Sequence, residues 1–183
     1  INSYHKAIKI NPKLPKVYNN LGIVHRKKGD LNAAINSYKK AIRFFPKYAE
    51  AYNNLGNIYQ DKRDLDIAID FYKKAIRANP TYPEAFYNLG TIYLQEEDFD
   101  TAIRSFKQAI NICPGHIDAF CNLGTTFHKK GDLYSAIKYF NKAINIDQHY
   151  AEGRWNLSLT LLLKGDYEKG WEEYQWRFKR KNG

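Results

Sequence analysis

Five asparagines stand at one regular spacing along the chain, and their amides are suited to binding the backbone of another polypeptide. They are Asn20, Asn54, Asn88, Asn122 and Asn156. Asparagine is a mediocre helix residue, but its side chain offers both a hydrogen-bond donor and an acceptor. A column of such side chains could pair with an extended peptide of any sequence. The alternative is that each amide bonds locally between neighbouring helices.

The histidines, cysteines and glycines show no pattern that predicts catalysis. The five histidines include no His-x-x-x-His pair with a carboxylate at ligand spacing. Cys113 and Cys121 are the only cysteines, and their spacing fits no zinc motif. We therefore predict no enzymatic activity, no catalytic residues, no metal and no cofactor. We expect both thiols to be reduced, which favours a cytoplasmic location.

The asparagines belong to a sequence motif, or phrase, that recurs every 34 residues and predicts helices. Its clearest copy is Tyr52-Asn-Asn-Leu-Gly-Asn-Ile-Tyr59, and a second phrase with the same period reads Ala68-Ile-Asp-Phe-Tyr-Lys-Lys-Ala-Ile76. In both phrases the apolar and small residues fall at i, i+3, i+4 and i+7, one face of a helix. The sequence thus predicts repeated helical hairpins without strands. Helices are expected over 15–28 and 31–44 and at their 34-residue translations.

Glycines and aspartates mark the contacts and turns of these hairpins. Glycine in mid-helix costs roughly 1 kcal/mol against alanine, so the repeated glycines indicate close helix contacts. We expect alanines opposite these glycines, namely Ala34, Ala68, Ala102 and Ala136 opposite Gly22, Gly56, Gly90 and Gly124. The turn aspartates are expected to cap the second helices; they are Asp30, Asp64, Asp98, Asp132 and Asp166. Gly29, Gly131 and Gly165 suit left-handed turns, whereas Arg63 and Glu97 replace that glycine with some strain.

Together the two phrases resemble the tetratricopeptide repeat signature of an aromatic, Leu-Gly, an aromatic, Ala, an aromatic, Ala and Pro at fixed spacing. The resemblance covers nearly the whole chain as one domain: a partial repeat at 1–14, full repeats at 15–48, 49–82, 83–116 and 117–150, and a divergent closing repeat at 151–183. It implies a right-handed superhelical α-solenoid whose first helices line a concave groove. It also implies a scaffold that binds a protein or an extended peptide in that groove.

The groove residues expected to contact a peptide are Asn20, Asn54, Asn57, Asn88, Thr91, Asn122, Thr125 and Asn156. The asparagine column is similar to that in the repeat arm of O-linked N-acetylglucosamine transferases. Residues 165–177 are similar to the closing repeat that precedes glycosyltransferase-like domains in some bacterial repeat proteins. These similarities imply an alternative function, the substrate-recognition arm of a glycosyltransferase whose catalytic domain is absent from this chain. A chain that starts at Ile1 is expected to be a fragment or a processed product.

The closing repeat predicts an interface. Arg177 stands where the other repeats have alanine, and all three tryptophans lie in this repeat. Contiguous apolar surface on a monomer usually marks an interaction site. The expected interface residues are Trp155, Leu159, Leu162, Leu163 and Trp176. The partner would be a downstream domain, a second copy of the chain or a ligand helix.

The positive charge is concentrated at the N-terminal end. Residues 1–46 hold ten Lys or Arg and one acidic residue, Asp30, in a chain whose net charge is +10. This charge indicates either a solvated outer surface or an acidic partner. A repeat protein that reads RNA would carry basic residues along its groove. The residues predicted to line the groove in one repeat, which we call the groove stripe, are instead neutral or acidic: Glu50, Asn53, Asn54, Asn57, Gln60 and Asp61. We therefore expect no nucleic acid, and the absence of an apolar run of about 18 residues predicts no membrane partner.

Overall fold

The all-α class predicted from the repeats is confirmed. The structure, a computed structural model, describes Tyr4 and residues 9–179, and within them it contains helices and no strand. The helices are α1 Pro15–Lys27, α2 Leu31–Phe44, α3 Ala49–Asp61, α4 Leu65–Ala78, α5 Pro83–Gln95, α6 Phe99–Ile112, α7 Ile117–Lys129, α8 Leu133–Ile146, α9 Ala151–Lys164, α10 Tyr167–Tyr174 and the 3₁₀ helix η1 Gln175–Lys179. The predicted bounds agree with α1 and α2 to within one residue.

The chain divides into two compact units, residues 1–89 and residues 90–183, with the boundary inside α5. In unit 1, α1 packs on α2, α2 on α3, and α3 on α4. In unit 2, α6 packs on α7, and the same order continues through α10. Helices thus contact their neighbours in sequence, as in a solenoid of repeats. The single-domain organisation stays a prediction, and most of the partial repeat at 1–14 and the last residues of the closing repeat lie outside the described residues.

Each of the four full repeats closes where a glycine of the first helix meets an aromatic ring of the second. A Cβ added at Gly56 would lie 2.5 Å from Cε1 of Tyr72, and one at Gly124 would lie 2.7 Å from Cδ1 of Phe140. Tyr38 and Phe106 lie against Gly22 and Gly90 in the same way. At each of these glycines the nearest atoms are those of the ring, for which only a residue without a side chain leaves room. Ala34, Ala68, Ala102 and Ala136, the residues expected opposite the glycines, are fully buried, and their contact with the glycines stays a prediction.

The turns behave largely as predicted. Asp30, Asp98 and Asp132 accept hydrogen bonds from the backbone N–H three residues later, at 3.0–3.1 Å. Asp64 and Asp166 stand at the same position of their described helices without a side-chain cap bond, so capping was wrong for these two. Arg63 and Glu97 adopt left-handed φ values of 66° and 59°, as do the three turn glycines.

Candidate functional site

The predicted peptide-binding residues lie on the first helices. Asn20 is on α1, Asn54 and Asn57 on α3, Asn88 and Thr91 on α5, Asn122 and Thr125 on α7, and Asn156 on α9. All eight are partly buried. We call the surface formed by the first helices of one compact unit its first-helix face.

The asparagine column joins adjacent first helices. Asn54 Nδ2 donates to Asn19 Oδ1 at 3.0 Å, and Asn88 Nδ2 donates to Asn53 Oδ1 at 2.9 Å. Asn156 Nδ2 has a weaker acceptor, Cys121 Sγ, at 3.5 Å. In each case the acceptor stands in the preceding repeat, one position before the column. The local role left open by the sequence is therefore present for these amide N–H groups.

Burial of the acceptors makes these contacts structural. Asn19 is completely buried, and its own Nδ2 donates to Glu50 Oε1 at 2.8 Å. Asn53, expected in the groove stripe, is only 5% exposed, so its place on the groove surface was predicted wrongly. Among the described residues the structure gives no protein donor to Oδ1 of Asn54 or Asn156. These two oxygens can therefore accept a hydrogen bond from a ligand.

A cavity of about 380 Å³ opens on the first-helix face of unit 1. It is lined by Ile23, Arg26, Lys27, Tyr38 and Asn54, and we call it the Tyr38 cavity. Arg26 Nη2 donates to Asp61 Oδ2 at 2.6 Å. Burial raises the pKa of Tyr38 to about 12, so its hydroxyl remains a hydrogen-bond donor at neutral pH.

In the next hairpin the equivalent hydroxyl is already bonded. Tyr72 Oη lies 2.8 Å from Asn57 Oδ1 and 2.6 Å from Gln60 Oε1. A phenolic hydroxyl has one proton, so it donates to one of these amides at a time. Asn57 Oδ1 also accepts from Asn88 at 3.1 Å. The residues on the first-helix face here are held by the buried tyrosine beneath them.

A smaller cavity, of about 130 Å³, opens on the first-helix face of unit 2. Its lining residues are Thr125, His128, Lys129, Phe140, Asn156 and Leu159, and we call it the Phe140 cavity. Five of them stand three repeats after the residues that line the Tyr38 cavity. The structure thus brings Thr125, Asn156 and Leu159, which were predicted as separate site residues, around one cavity.

His128 is held as one tautomer at this cavity. Thr160 Oγ1 donates to the carbonyl of Asn156 at 2.7 Å and lies 2.9 Å from His128 Nδ1. Because the hydroxyl proton is directed to Asn156, Nδ1 carries the proton of the second bond. Burial lowers the pKa of His128, so the ring is neutral at neutral pH. Nε2 is then a hydrogen-bond acceptor.

The expected interface residues of the closing repeat divide into two groups. Leu159 and Leu163 are 38% and 65% exposed. Trp155 packs on Tyr174 with ring centroids 5.0 Å apart, and Trp176 lies 4.6 Å beneath the Arg154 guanidinium. Leu162 packs inside the hairpin, since a Cβ added at Gly170 would meet it at 2.7 Å.

The second helix of the closing repeat is short. It has 8 residues, where α8 has 14, and the chain then turns into η1. The Arg177 guanidinium lies 4.4 Å from the Tyr174 ring centroid and 3.9 Å from that of Phe178. The arginine that replaces alanine is thus held between aromatic rings.

Other reactive groups are widely separated or buried. Both cysteines are free thiols, and burial raises the pKa of Cys121 to about 11, which makes it an unreactive thiol. Within the described part of the chain, no group of three or more His, Cys, Asp or Glu residues could hold a metal ion. No described helix has the length and apolar composition needed to cross a membrane.

Sequence reasoning missed the cavity residues Tyr38, Arg26 and His128. The hydroxyl of Tyr38 was not considered. A comparison of equivalent positions in two repeats could have identified the Tyr38 hydroxyl as one without an acceptor. Tyr72 has Asn57 and Gln60 at its hydroxyl, whereas the same two positions beside Tyr38 are Ile23 and Arg26, and neither side chain is an acceptor.

Comparison with known protein families agrees with this repeated architecture. A family model described as a TPR repeat matches residues 1–29 and 24–63. A second, described as a tetratricopeptide repeat, matches residues 47–115 and 82–149, more than half of the chain. The chain belongs to the tetratricopeptide repeat family. The residues after 149, which form the divergent closing repeat, fall outside these matches.

Solved structures share the fold. One is YrrB, described as a TPR protein with an unusual peptide-binding site; it is 26% identical with a TM-score of 0.74, covering 94% of this chain and 89% of YrrB. A second is MamA, 28% identical with a TM-score of 0.76, covering 87% of this chain and 93% of MamA. A third is pilF of Pseudomonas aeruginosa, with a TM-score of 0.84 at 19% identity, covering 92% of this chain and 77% of that one; it shows the fold alone.

The tetratricopeptide repeat resemblance is confirmed, whereas the glycosyltransferase resemblance gains no support from the matching families or from these structures. No curated protein sequence matches the chain significantly. The neighbours described by their function include a peptide-binding protein, which agrees with the scaffold role expected from the sequence. The absence of enzymatic activity stays a prediction.

Proposed function

We propose that the first-helix face of each unit binds an extended segment of a partner protein. The observation that carries this proposal is the recurrence of an open cavity at equivalent positions, the Tyr38 cavity in unit 1 and the Phe140 cavity in unit 2. A repeat protein that binds an extended chain presents such sites periodically, because each repeat contributes the same positions. YrrB, which has the same fold, is described as having a peptide-binding site.

The asparagines supply the part of the site that does not depend on ligand sequence. Asn54 and Asn156 each donate an N–H to the first helix of the preceding repeat, which fixes the amide and leaves Oδ1 available. A fixed acceptor suits the backbone N–H of an extended peptide, and it loses little conformational entropy on binding. The cavities beside these oxygens then receive alternate side chains, as in other modes of peptide recognition.

The exposed leucines of the closing repeat extend the same face. Leu159 lines the Phe140 cavity, and Leu163 lies one turn further along α9 with 65% of its surface exposed. An apolar side chain of the ligand would bury this surface, at roughly 25 cal/mol per Å². We therefore assign both leucines to the peptide site. Self-association or contact with a downstream domain through these residues stays a prediction.

Selection from a displayed library of random peptides tests this proposal. The whole chain should enrich peptides above the level retained by an unrelated helical protein. Thr125→Glu places a charge in the Phe140 cavity and should weaken the selected peptides at least tenfold by fluorescence polarisation. Asn145→Glu adds the same charge to exposed α8 and should leave affinity unchanged. The proposal fails if no peptide is enriched or if the two variants weaken binding equally.

A further inference from the structure

The hydroxyl of Tyr38 stands at the wall of an open cavity without a protein partner. The Tyr38 side chain is otherwise fully buried, and among the described residues no hydrogen bond reaches its Oη. The equivalent hydroxyl of Tyr72 has two amide acceptors within 2.8 Å. No fully buried side-chain N or O atom of the described residues lacks a partner, so the Tyr38 hydroxyl is exposed within the cavity. A ligand acceptor would supply the missing bond.

The charges around this cavity select the kind of acceptor. Arg26 and Lys27 both line it, so a cationic ligand group is disfavoured. Arg26 bonds Asp61 with one nitrogen, and the guanidinium has further N–H donors for a second partner. Asp61 and Glu50 are the acidic residues nearby that oppose an anion. The hairpin itself is strongly basic, with Asp30 the only acidic residue from 15 to 46.

An apolar side chain fits this cavity poorly. It would cover the Tyr38 hydroxyl and the Arg26 guanidinium without bonding either, and a buried donor left unpaired is unfavourable. A carboxylate accepts from both, and hydrogen bonds to an ionised acceptor are about twice as strong as neutral ones. The cavity volume of about 380 Å³ accommodates a side chain of that size. The apolar wall at Ile23 matches the methylene groups of such a side chain.

We propose that Tyr38 determines specificity and that its cavity receives an aspartate or glutamate side chain of the bound peptide. The carboxylate accepts a hydrogen bond from the Tyr38 hydroxyl and pairs with Arg26 and Lys27. This inference rests on the proposed peptide-binding function. The Phe140 cavity, three repeats later, keeps a lysine, Lys129, but lacks the hydroxyl and the arginine, and it therefore selects an acidic side chain less strongly. A buried residue of the second helix thus sets the chemistry of the first-helix face.

The test compares selected peptides for the wild type and for Tyr38→Phe. Phenylalanine stands at the equivalent positions 106 and 140, so this variant keeps the packing and loses only the hydroxyl. Peptides selected on the whole wild-type chain should share an Asp or Glu at one position. A selected peptide and its Glu→Gln or Asp→Asn counterpart are then compared by fluorescence polarisation. Tyr38→Phe should reduce the preference for the acidic peptide about tenfold, consistent with one charge-assisted hydrogen bond.

Two further variants make the result specific. Arg26→Gln should also reduce the preference for the acidic peptide, and it covers the case in which Tyr38→Phe fails to fold. Tyr72→Phe removes a hydroxyl that is already bonded within the protein and should leave the preference unchanged. Circular dichroism confirms that each variant is helical.

The possible outcomes separate this inference from the proposed function. If no peptide is enriched by the wild type, both are wrong. If peptides are enriched without an acidic position, the specificity assigned to Tyr38 is wrong while the binding function stands. The same conclusion follows if the acidic preference survives Tyr38→Phe and Arg26→Gln, or falls equally in Tyr72→Phe. Loss of the preference in the first two variants alone supports the assignment.

Discussion

The hairpin α3–α4 of unit 1 and the hairpin α7–α8 of unit 2 have the same helix lengths but differ beneath the first-helix face. In α3–α4, the Tyr72 ring occupies the space left by the missing side chain of Gly56, which we call the glycine notch. The Tyr72 hydroxyl lies within hydrogen-bond distance of two amide oxygens of the first helix. In α7–α8, Phe140 fills the notch at Gly124 and borders an open cavity. The two hairpins therefore differ in whether amides of the first helix bond the buried ring. The hydrogen bonds available to the surface residues therefore depend on which aromatic residue lies beneath them.

The two hairpins also differ in their neighbours and caps. Asn54 of α3 donates to a buried amide oxygen, whereas Cys121 of α7 offers sulfur to Asn156. Asp132 caps α8 through the Ser135 N–H, while Asp64 at the start of α4 makes no such bond. Three pairs of substitutions test these differences.

The largest effect is expected from filling the glycine notch. Gly56→Leu should lower the free energy of unfolding by roughly 1–3 kcal/mol, because overpacking forces the rings and helices apart. Gly124→Leu should lower it less, since the Phe140 ring can shift towards its cavity while the Tyr72 hydroxyl is bonded. Urea unfolding followed by circular dichroism measures both.

Gly115→Leu is the control for this pair. Position 115 lies in a turn, and a Cβ added there meets nothing within 4 Å. This variant should unfold at nearly the wild-type urea concentration. Equal losses in Gly56→Leu and Gly124→Leu would show that the bonded hydroxyl does not restrain the ring.

The second effect concerns the amides between first helices. Asn54→Ala should reduce the free energy of unfolding by about 1–2 kcal/mol, because it leaves the buried oxygen of Asn19 without a donor. Asn156→Ala should reduce it by less than half as much, since thiol sulfur is a weak acceptor. Urea titration of the two variants in parallel gives the comparison. A larger loss in Asn156→Ala would contradict the assignment.

The repeat period was enough to predict the helices and the positions of the asparagines on them. It was not enough to predict the hydrogen-bond partners of the asparagines. Positions 3.6 residues apart share a face, so spacing alone located α1 to α9 and the first-helix residues. The partner of Asn54 lies 35 residues earlier, and pairing at that distance depends on how helices pack. The contact of the Tyr72 ring with Gly56 was missed for the same reason. Ala68 and Tyr72 share one helical face, and the sequence does not say which of them lies nearer to Gly56.

The smallest effect concerns the caps and depends on pH. Hydrogen bonds from Ser135 hold the pKa of Asp132 below its usual value. A carboxyl with a lowered folded-state pKa stabilises the fold at neutral pH, and this contribution is lost as the pH falls through about 4 towards the lowered pKa. Asp132→Ala should therefore lower the urea midpoint at pH 7, with a smaller difference from the wild type at pH 3. Asp64→Ala should have less effect at pH 7. A difference for Asp132→Ala that is the same at both pH values would rule out the cap as its cause.

Under the proposed function, the equivalence of the two cavities has a consequence for how new binding specificities would arise in this chain. Each cavity is built from positions that recur in every repeat, so duplication of a hairpin with such a cavity adds a length of first-helix face and a side-chain cavity in one event. Exchange of Tyr for Phe at the buried ring then changes the chemistry of that cavity, while the notch of the hairpin stays filled. Selectivity can therefore diverge repeat by repeat without a new fold. A designed library needs variation only at the buried ring and at the two first-helix positions above it.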